Sequence, residues 1–270
     1  MPTQVLQTID LPKQLRVGVV SETVSSQPAL VIEDIPIDPF SIQFGFALCN
    51  EPDLVDRNEA VFTRLDNPFT AADQHLSEHV SNSLDNNLNN KKALEALLRL
   101  VPCMFNYSDK KGTLNLPAFC DLKTHGNCID INTVFLSSLY CAEIRSAYLA
   151  GFFFSEVIEE KVANGMHCWM STWLDDKISH WDIAQSLINN VNYPMEGLNQ
   201  FGGLRVAFSY GRGLEFSTKW GKTRPISHFA KPHWLFLGLS VQEANIEVRL
   251  MDLSAKEAEV EVPQSTSKTT

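Results

Sequence analysis

The hydrophobic period of the chain changes twice along its length. Alternating apolar and polar residues in LRVGVVSETV and SIQFGFALC predict short strands up to about residue 60. Helical periods follow from Pro68, and short strand-like segments return after Asp182 in LRVAFSYG, LEFSTKW and ANIEVRLMDL. This order excludes the regular strand–helix alternation of a doubly wound sheet and predicts an α+β fold.

Two helices are predicted between residues 70 and 105. TAADQHLSEHVSNSLDNNL begins with Thr70, a residue type that caps helices. NKKALEALLRLVPCMF carries apolar residues at helical spacing, namely Leu94, Leu97, Leu98 and Val101. Both segments are expected to pack one apolar face on a core.

Composition narrows the classes of partner. The chain has 270 residues, 44% of them hydrophobic, and a net charge of -10, with basic residues clustered only in pairs such as Lys91–Lys92. A nucleic-acid partner is therefore excluded, because phosphate binding needs a concentrated positive surface. The sequence has no apolar run long enough for a membrane span and no secretory signal, so we expect a cytoplasmic protein that binds no membrane.

Six cysteines lie along the chain without any CxxC pair. This spacing disfavours disulfides and predicts reduced thiols, most of them buried and inert. A zinc site could be imagined from a wider group of residues, but these lack the short paired spacing of zinc ligands: Cys120, His125, Cys128, His167, Cys168 and His180. We therefore predict no metal and no cofactor.

Cys128 differs from the other cysteines in its local context. Apolar residues at 131, 134, 135, 139 and 142 predict a helix that starts near Asn127, with Cys128 in its first turn. There the free backbone N–H groups and the helix dipole favour a thiolate, which predicts a lowered pKa for Cys128. Gly126 allows close approach of a substrate carbonyl, and Cys141 lies well inside the helix.

A base for such a thiol is found about forty residues later. GMHCWMSTWLDDKISHWDIA predicts two strands joined by a two-residue loop at Asp175–Asp176. This register puts Asp182 diagonally opposite His167 on the same face, roughly 7 to 8 Å away by Cα, within reach of the imidazole. His180 has the same parity as Asp182 and is the alternative base.

The combined motifs resemble the transglutaminase-like superfamily over about residues 91 to 190, and a similarity extends towards Trp234. The matching segments are Gly126–Asp130, Val134–Phe135, Ala150–Phe152, His167–Trp169 and Asp182. The chain differs from the residues that many relatives have at three places, namely Cys168, Ile183 and Glu143–Ala147. These differences leave the substrate class open.

The resemblance implies a papain-like core, in which a helix that begins with the nucleophile packs against an antiparallel sheet carrying the histidine and the aspartate. Cys128 would attack an amide or thioester carbonyl, His167 would transfer the proton, and Asp182 would orient His167. Water would then hydrolyse the acyl-enzyme, and an amine would give transamidation or amide formation. The substrate would be a peptide, a protein or another acyl donor.

Further roles are assigned by position alone. Asn106 and Tyr107 are candidates for the oxyanion site or for substrate contact beside the backbone N–H of Cys128, and Trp169 shares the face of His167. Asp130 lies in the first helical turn, where the dipole favours a carboxylate, and is predicted to be structural.

The predicted organisation has four parts. They are a β-rich section at 1–60, a transglutaminase-like catalytic core at 61–190, a β-rich section at 191–262 and a disordered tail at 263–270. The alternative to an enzyme is a catalytically silent module that binds a peptide or partner. Amide synthesis from a carrier-protein thioester is disfavoured by the negative charge, because carrier proteins are acidic.

Overall fold

The computed structural model describes residues 3–13, 15–35, 40–49, 59–84, 89–109, 123–154, 162–163, 165–191, 193–198, 200–236 and 239–249. Within these ranges the protein mixes helices and strands, as the changes of period predict. Cys120 and the predicted tail at 263–270 lie outside the described residues. The boundaries drawn between the four sections stay a prediction.

The first sixty residues contain strands, as predicted. Strands β1 (Thr3–Asp10) and β4 (Gln43–Cys49) pair antiparallel, and β2 (Arg16–Ser21) pairs antiparallel with β3 (Pro28–Glu33). A bridge between Glu22 and Phe216 joins the second pair to the C-terminal part of the chain. A short 3-10 helix, Glu59–Phe62, follows.

Helices α1 (Gln74–Ser83) and α2 (Asn90–Cys103) occupy the predicted segments. The cap of α1 was predicted wrongly. Asp73 caps it by accepting a hydrogen bond from the N–H of Leu76 at 2.7 Å, whereas the buried hydroxyl of Thr70 donates to the carbonyl of Leu65. The apolar face of α2 is buried as predicted. No helix among the residues described is long and apolar enough to cross a membrane.

The centre of the molecule is an antiparallel sheet with the order β10–β7–β8–β9. Its strands are β7 (Ser146–Phe154), β8 (Met166–Leu174), β9 (Lys177–Trp181) and β10 (Leu204–Tyr210). Helix α4 (Ile183–Ile188) follows β9 directly. Two short parallel strands, β5 (Phe105–Tyr107) and β6 (Thr124–Gly126), lead into helix α3 (Cys128–Cys141).

The C-terminal part adds two hairpins. Strands β11 (Ser217–Thr218) and β12 (Gly221–Lys222) form one, and β13 (His233–Phe236) and β14 (Leu239–Glu243) form the other. The strand predicted in ANIEVRLMDL is not formed over its described residues 244–249, because the chain pairs one segment earlier, in β14.

Helix α3 packs on one face of the central sheet. Its buried residues join a core with Tyr148 and Ala150 of β7 and with Cys168 and Met170 of β8. Because side chains alternate across a strand, His167 and Trp169 project from the opposite face. Helices α1 and α2 cover the other side of α3, which is buried almost all round as a result.

Candidate active site

Cys128 is the first residue of α3, as predicted. The Asn127 side chain caps the helix by accepting hydrogen bonds from the N–H groups of Ile129 at 2.9 Å and Asp130 at 3.3 Å. The Asp130 carboxylate in turn accepts from the N–H of Asn127 at 3.0 Å, which completes a capping box and gives Asp130 the structural role expected of it. Among the residues that the structure describes, none accepts a hydrogen bond from the Cys128 N–H.

The loop before Cys128 is held very close to β5. Strand β5 pairs with β6 so that Asn106 lies opposite His125 and Tyr107 opposite Gly126. A Cβ atom on Gly126 would lie 2.7 Å from the Phe105 ring, so only glycine fits here without a shift. Asn106 is exposed and Tyr107 is half-buried. Their pairing with His125 and Gly126 places both residues near the start of α3.

The hairpin of β8 and β9 has the predicted register. Asp175 and Asp176 form the two-residue loop with φ angles of 47° and 59°, and Leu174 pairs with Lys177. Positive φ at both positions is the geometry that matches the twist of a tight hairpin, and aspartate tolerates it. The register places Asp182 just beyond β9, on the face of His167.

His167 and Asp182 form a buried hydrogen-bonded pair. The Nε2 atom of His167 lies 2.8 Å from Oδ2 of Asp182, and the residues are 9% and 5% exposed. The other oxygen of Asp182 accepts from the N–H of Gln185 at 2.9 Å and so caps α4. The Asp182 carboxylate thus binds His167 through one oxygen and caps α4 through the other.

Burial and charge act in opposite directions on this pair. Burial alone would lower the pKa of His167, but the charge and hydrogen bond of Asp182 raise it above its ordinary value. Burial would raise the pKa of Asp182, but His167, Arg205 and the Gln185 N–H lower it below its usual range. The pair therefore favours imidazolium beside carboxylate.

Cys128 is 7% exposed and lies beside Cys168. The two thiols interact. The interaction with the Cys168 thiol and burial raise the pKa of Cys128 well above its ordinary value. The sequence-based expectation of a lowered pKa is wrong here, because a buried neighbouring thiol outweighs the helix terminus.

Cys168 shows the opposite behaviour within the same pair. Burial alone would raise the pKa of Cys168. That pKa is lowered by its interaction with Cys128, by the positive charge of His167, and by contacts with Tyr148 and Asn132. The amide of Asn132 donates to the Cys168 carbonyl at 3.0 Å and approaches its sulfur at 3.5 Å. The interaction of the two thiols therefore raises the pKa of Cys128 and lowers that of Cys168.

The relation between Cys128 and His167 differs from the geometric expectation. The sequence-based register and the family resemblance together predict that α3 lies across the face of His167, with the Cys128 sulfur roughly 3 to 4 Å from its ring, but α3 packs on the opposite face, where Cys168 projects. No hydrogen bond joins Cys128 to His167 in the part of the chain that the structure describes. The thiol instead reaches the edge of β8 at Cys168, the residue next to His167.

Two other candidates have well-defined neighbours. The Trp169 ring stacks against the His167 ring with centroids 6.2 Å apart. His180 shares a hydrogen bond of 2.6 Å between its Nδ1 and the Ser171 hydroxyl, and burial lowers its pKa to about 4. His180 is therefore neutral near pH 7 and is paired with a serine, whereas His167 is paired with a carboxylate.

Arg205 is the charged residue of this site that was missed in the sequence. It is fully buried on β10, and its Nε donates to Oδ2 of Asp182 at 2.8 Å. The only signal was an arginine inside the strand-like segment LRVAFSYG, where a charged side chain is normally exposed. The long sequence separation from Asp182 concealed the contact.

The remaining findings concern metals and known proteins. Among the residues described, no group of three or more His, Cys, Asp or Glu side chains is arranged to hold a metal ion. No family model and no curated protein matches the chain. A crystal structure of a proposed cysteine protease from Cytophaga hutchinsonii aligns with 10% identity and a TM-score of 0.38, over 87% of this chain and 84% of that one.

Proposed function

We propose that the protein is a transglutaminase-like cysteine enzyme that transfers acyl groups through a thioester on Cys128. The observation that carries the proposal is the buried His167–Asp182 pair at 2.8 Å. His167 is followed in β8 by Cys168, which contacts Cys128 at the start of α3. A nucleophile, a base and a group that orients the base are the three parts that such chemistry needs.

The proposed reaction begins from the neutral form of His167, present above its pKa, whose Nδ1 takes the Cys128 proton because Nε2 is engaged by Asp182. The sulfur then attacks the carbonyl carbon, and the π electrons move to the carbonyl oxygen. The free N–H of Cys128 is suited to receive the developing negative charge. Collapse breaks the C–N bond, and the leaving amine takes the proton from His167.

The thioester is then cleaved by a second nucleophile. His167 removes a proton from water or from an amine, which attacks the carbonyl and expels the Cys128 thiolate. Water gives hydrolysis of a peptide or amide, and an amine gives transamidation or amide formation. Asn106, Tyr107 and Trp169 are proposed to contact the acyl group or its oxygen, since they border Cys128 or His167.

The direct test is acylation of Cys128 by p-nitrophenyl acetate, followed by intact mass and peptide mapping. We expect one acetyl group on Cys128, lost in Cys128→Ala and in His167→Ala. Cys141→Ala is the matched control, because this exposed thiol lies in the last turn of the same helix. Acetylation that is unaffected by His167→Ala would refute the proposed base.

A second function is favoured by one observation, the burial and raised pKa of the Cys128 thiol. A module that binds a peptide or a partner without catalysis would have no need of a reactive thiol. Under this alternative, folded protein would leave Cys128 unmodified by p-nitrophenyl acetate at every pH at which it stays folded.

A further inference from the structure

The Asp182 carboxylate is held by more than the histidine. Arg205 reaches it from β10, and its Nε and Nη2 atoms both lie 2.8 Å from Oδ2, the same oxygen that contacts His167. The third guanidinium nitrogen, Nη1, donates to the Leu198 carbonyl. With the Gln185 N–H on Oδ1, both carboxylate oxygens are fixed in direction.

We propose that Arg205 is the positioning residue of this site, which holds the Asp182 carboxylate against Nε2 of His167 and so leaves Nδ1 to exchange the proton with the thiol. This inference rests on the proposed function. A carboxylate that is free to rotate could accept from either imidazole nitrogen, and the tautomer of His167 would no longer be set.

The environment of Arg205 strengthens its interaction with this carboxylate. Its side chain has no exposed surface, and its guanidinium carbon lies 4.7 Å from the centroid of the Phe153 ring. The Phe153 ring is also 5.9 Å from the His167 ring, so one aromatic side chain contacts both cations of the site. A buried arginine requires an anion, and Asp182 supplies it.

Arg205 also opposes protonation of His167. The titratable groups that act on His167 are Asp182, which raises its pKa, Cys168, which also raises it, and Arg205, which lowers it. Cys128 acts on Cys168 through the interaction of the two thiols. Replacing Arg205 by a neutral residue therefore changes the pKa of His167 in the direction opposite to a replacement of Asp182.

The experiment is a histidine titration by NMR in wild type, Arg205→Met and Asp182→Asn, with folding checked by near-UV circular dichroism. We expect the pKa of His167 to rise in Arg205→Met and to fall in Asp182→Asn. An unchanged His167 pKa in folded Arg205→Met would overturn the proposal. Loss of the positive charge alone also raises this value, so the positioning role is tested separately with Arg205→Lys.

Arg205→Lys keeps the proposal testable if the methionine variant does not fold. Lysine retains the charge but cannot bridge the carboxylate and the Leu198 carbonyl together. We expect solvent exchange of the Nε2 proton of His167 to become roughly tenfold faster or more, the factor that corresponds to losing a charged hydrogen bond. An unchanged exchange rate in Arg205→Lys would also overturn the proposal.

These measurements are independent of turnover, so the two proposals fail separately. If the NMR results are as expected and Cys128 is never acylated by p-nitrophenyl acetate, Arg205 positions Asp182 in a non-catalytic site. If Cys128 is acylated and His167 is insensitive to Arg205, the enzyme stands and the positioning role is refuted.

Discussion

The thiol of Cys168 interacts with the thiol of Cys128, and Cys168 directly follows His167 in β8. The two cysteines come from elements that are separate in sequence, the start of α3 and the beginning of β8. Their contact raises the pKa of Cys128 and lowers that of Cys168, because one thiol stabilises the anion of the other.

Replacing Cys168 by alanine should make Cys128 more reactive. The interaction with the Cys168 side chain is the largest cause of the raised pKa of Cys128, so its loss should lower that pKa. We expect faster alkylation of Cys128 by iodoacetamide at about pH 7. The rate is measured by peptide mapping, with Cys103→Ala as the control for an exposed thiol, and slower alkylation would contradict the interpretation.

Asp182→Asn should reduce acyl transfer strongly without abolishing it, whereas His167→Ala should remove it. The asparagine leaves His167 in place but impairs its tautomer and orientation, a change that costs roughly 10⁴-fold in a serine triad. It also removes the charged partner of the buried Arg205 at Asp182, which costs about 3 to 5 kcal/mol of stability. Acetylation kinetics and urea unfolding measure the two effects, and an acylation rate equal to wild type would contradict this assignment.

His180→Phe should have a mild effect on activity. His180 is hydrogen-bonded to Ser171, and burial keeps it neutral near pH 7, so it is not paired for proton transfer with a carboxylate. We expect a change of about threefold or less in the acylation rate, within the range of small packing effects. A loss as large as that of His167→Ala would identify His180 as the base.

The stability contributed by His167 should fall with rising pH. Its pKa in the folded protein is above the ordinary value of 6.5, so the folded state binds the proton more tightly than the unfolded chain. This contribution is complete below that value and is lost as the pH rises through the folded pKa. The lowered pKa of Asp182 contributes only above 3.8, so its effect is constant near neutrality.

The measurement compares wild type with His167→Gln by urea unfolding at about pH 5.5 and about pH 8.5. The difference in free energy of unfolding between the two proteins should be larger at the lower pH. An equal or larger difference at the higher pH would mean that His167 is buried in its neutral form.

The caps of α2 and α3 form a matched pair of substitutions. Asn89 accepts from the N–H of Lys92 at 3.0 Å, and Asn127 caps α3 in the same way beside Cys128. Each change to alanine should cost about 1 kcal/mol of stability. Only Asn127→Ala should also slow acylation, because it displaces Cys128. Equal acylation rates in the two variants would contradict a role of the α3 terminus in the reaction.

Local patterns in the sequence determined the elements that carry the candidate residues. The helical period after Asn127 was enough to predict that Cys128 begins α3, because periodicity and capping act within one turn. The alternation in GMHCWMSTWL and the Asp175–Asp176 loop were enough to predict the contact of His167 with Asp182, since a tight hairpin fixes its own register.

Contacts between distant segments were decided only by the tertiary structure. The sequence could not predict which face of the sheet α3 covers, and this choice brought Cys128 to Cys168 and raised the pKa that the helix start alone would lower. Arg205 reaches Asp182 only because β10 joins the sheet beside β7. Packing sets the dielectric and the neighbouring charges of a buried group, and these determine its chemistry more strongly than its position in a helix or strand.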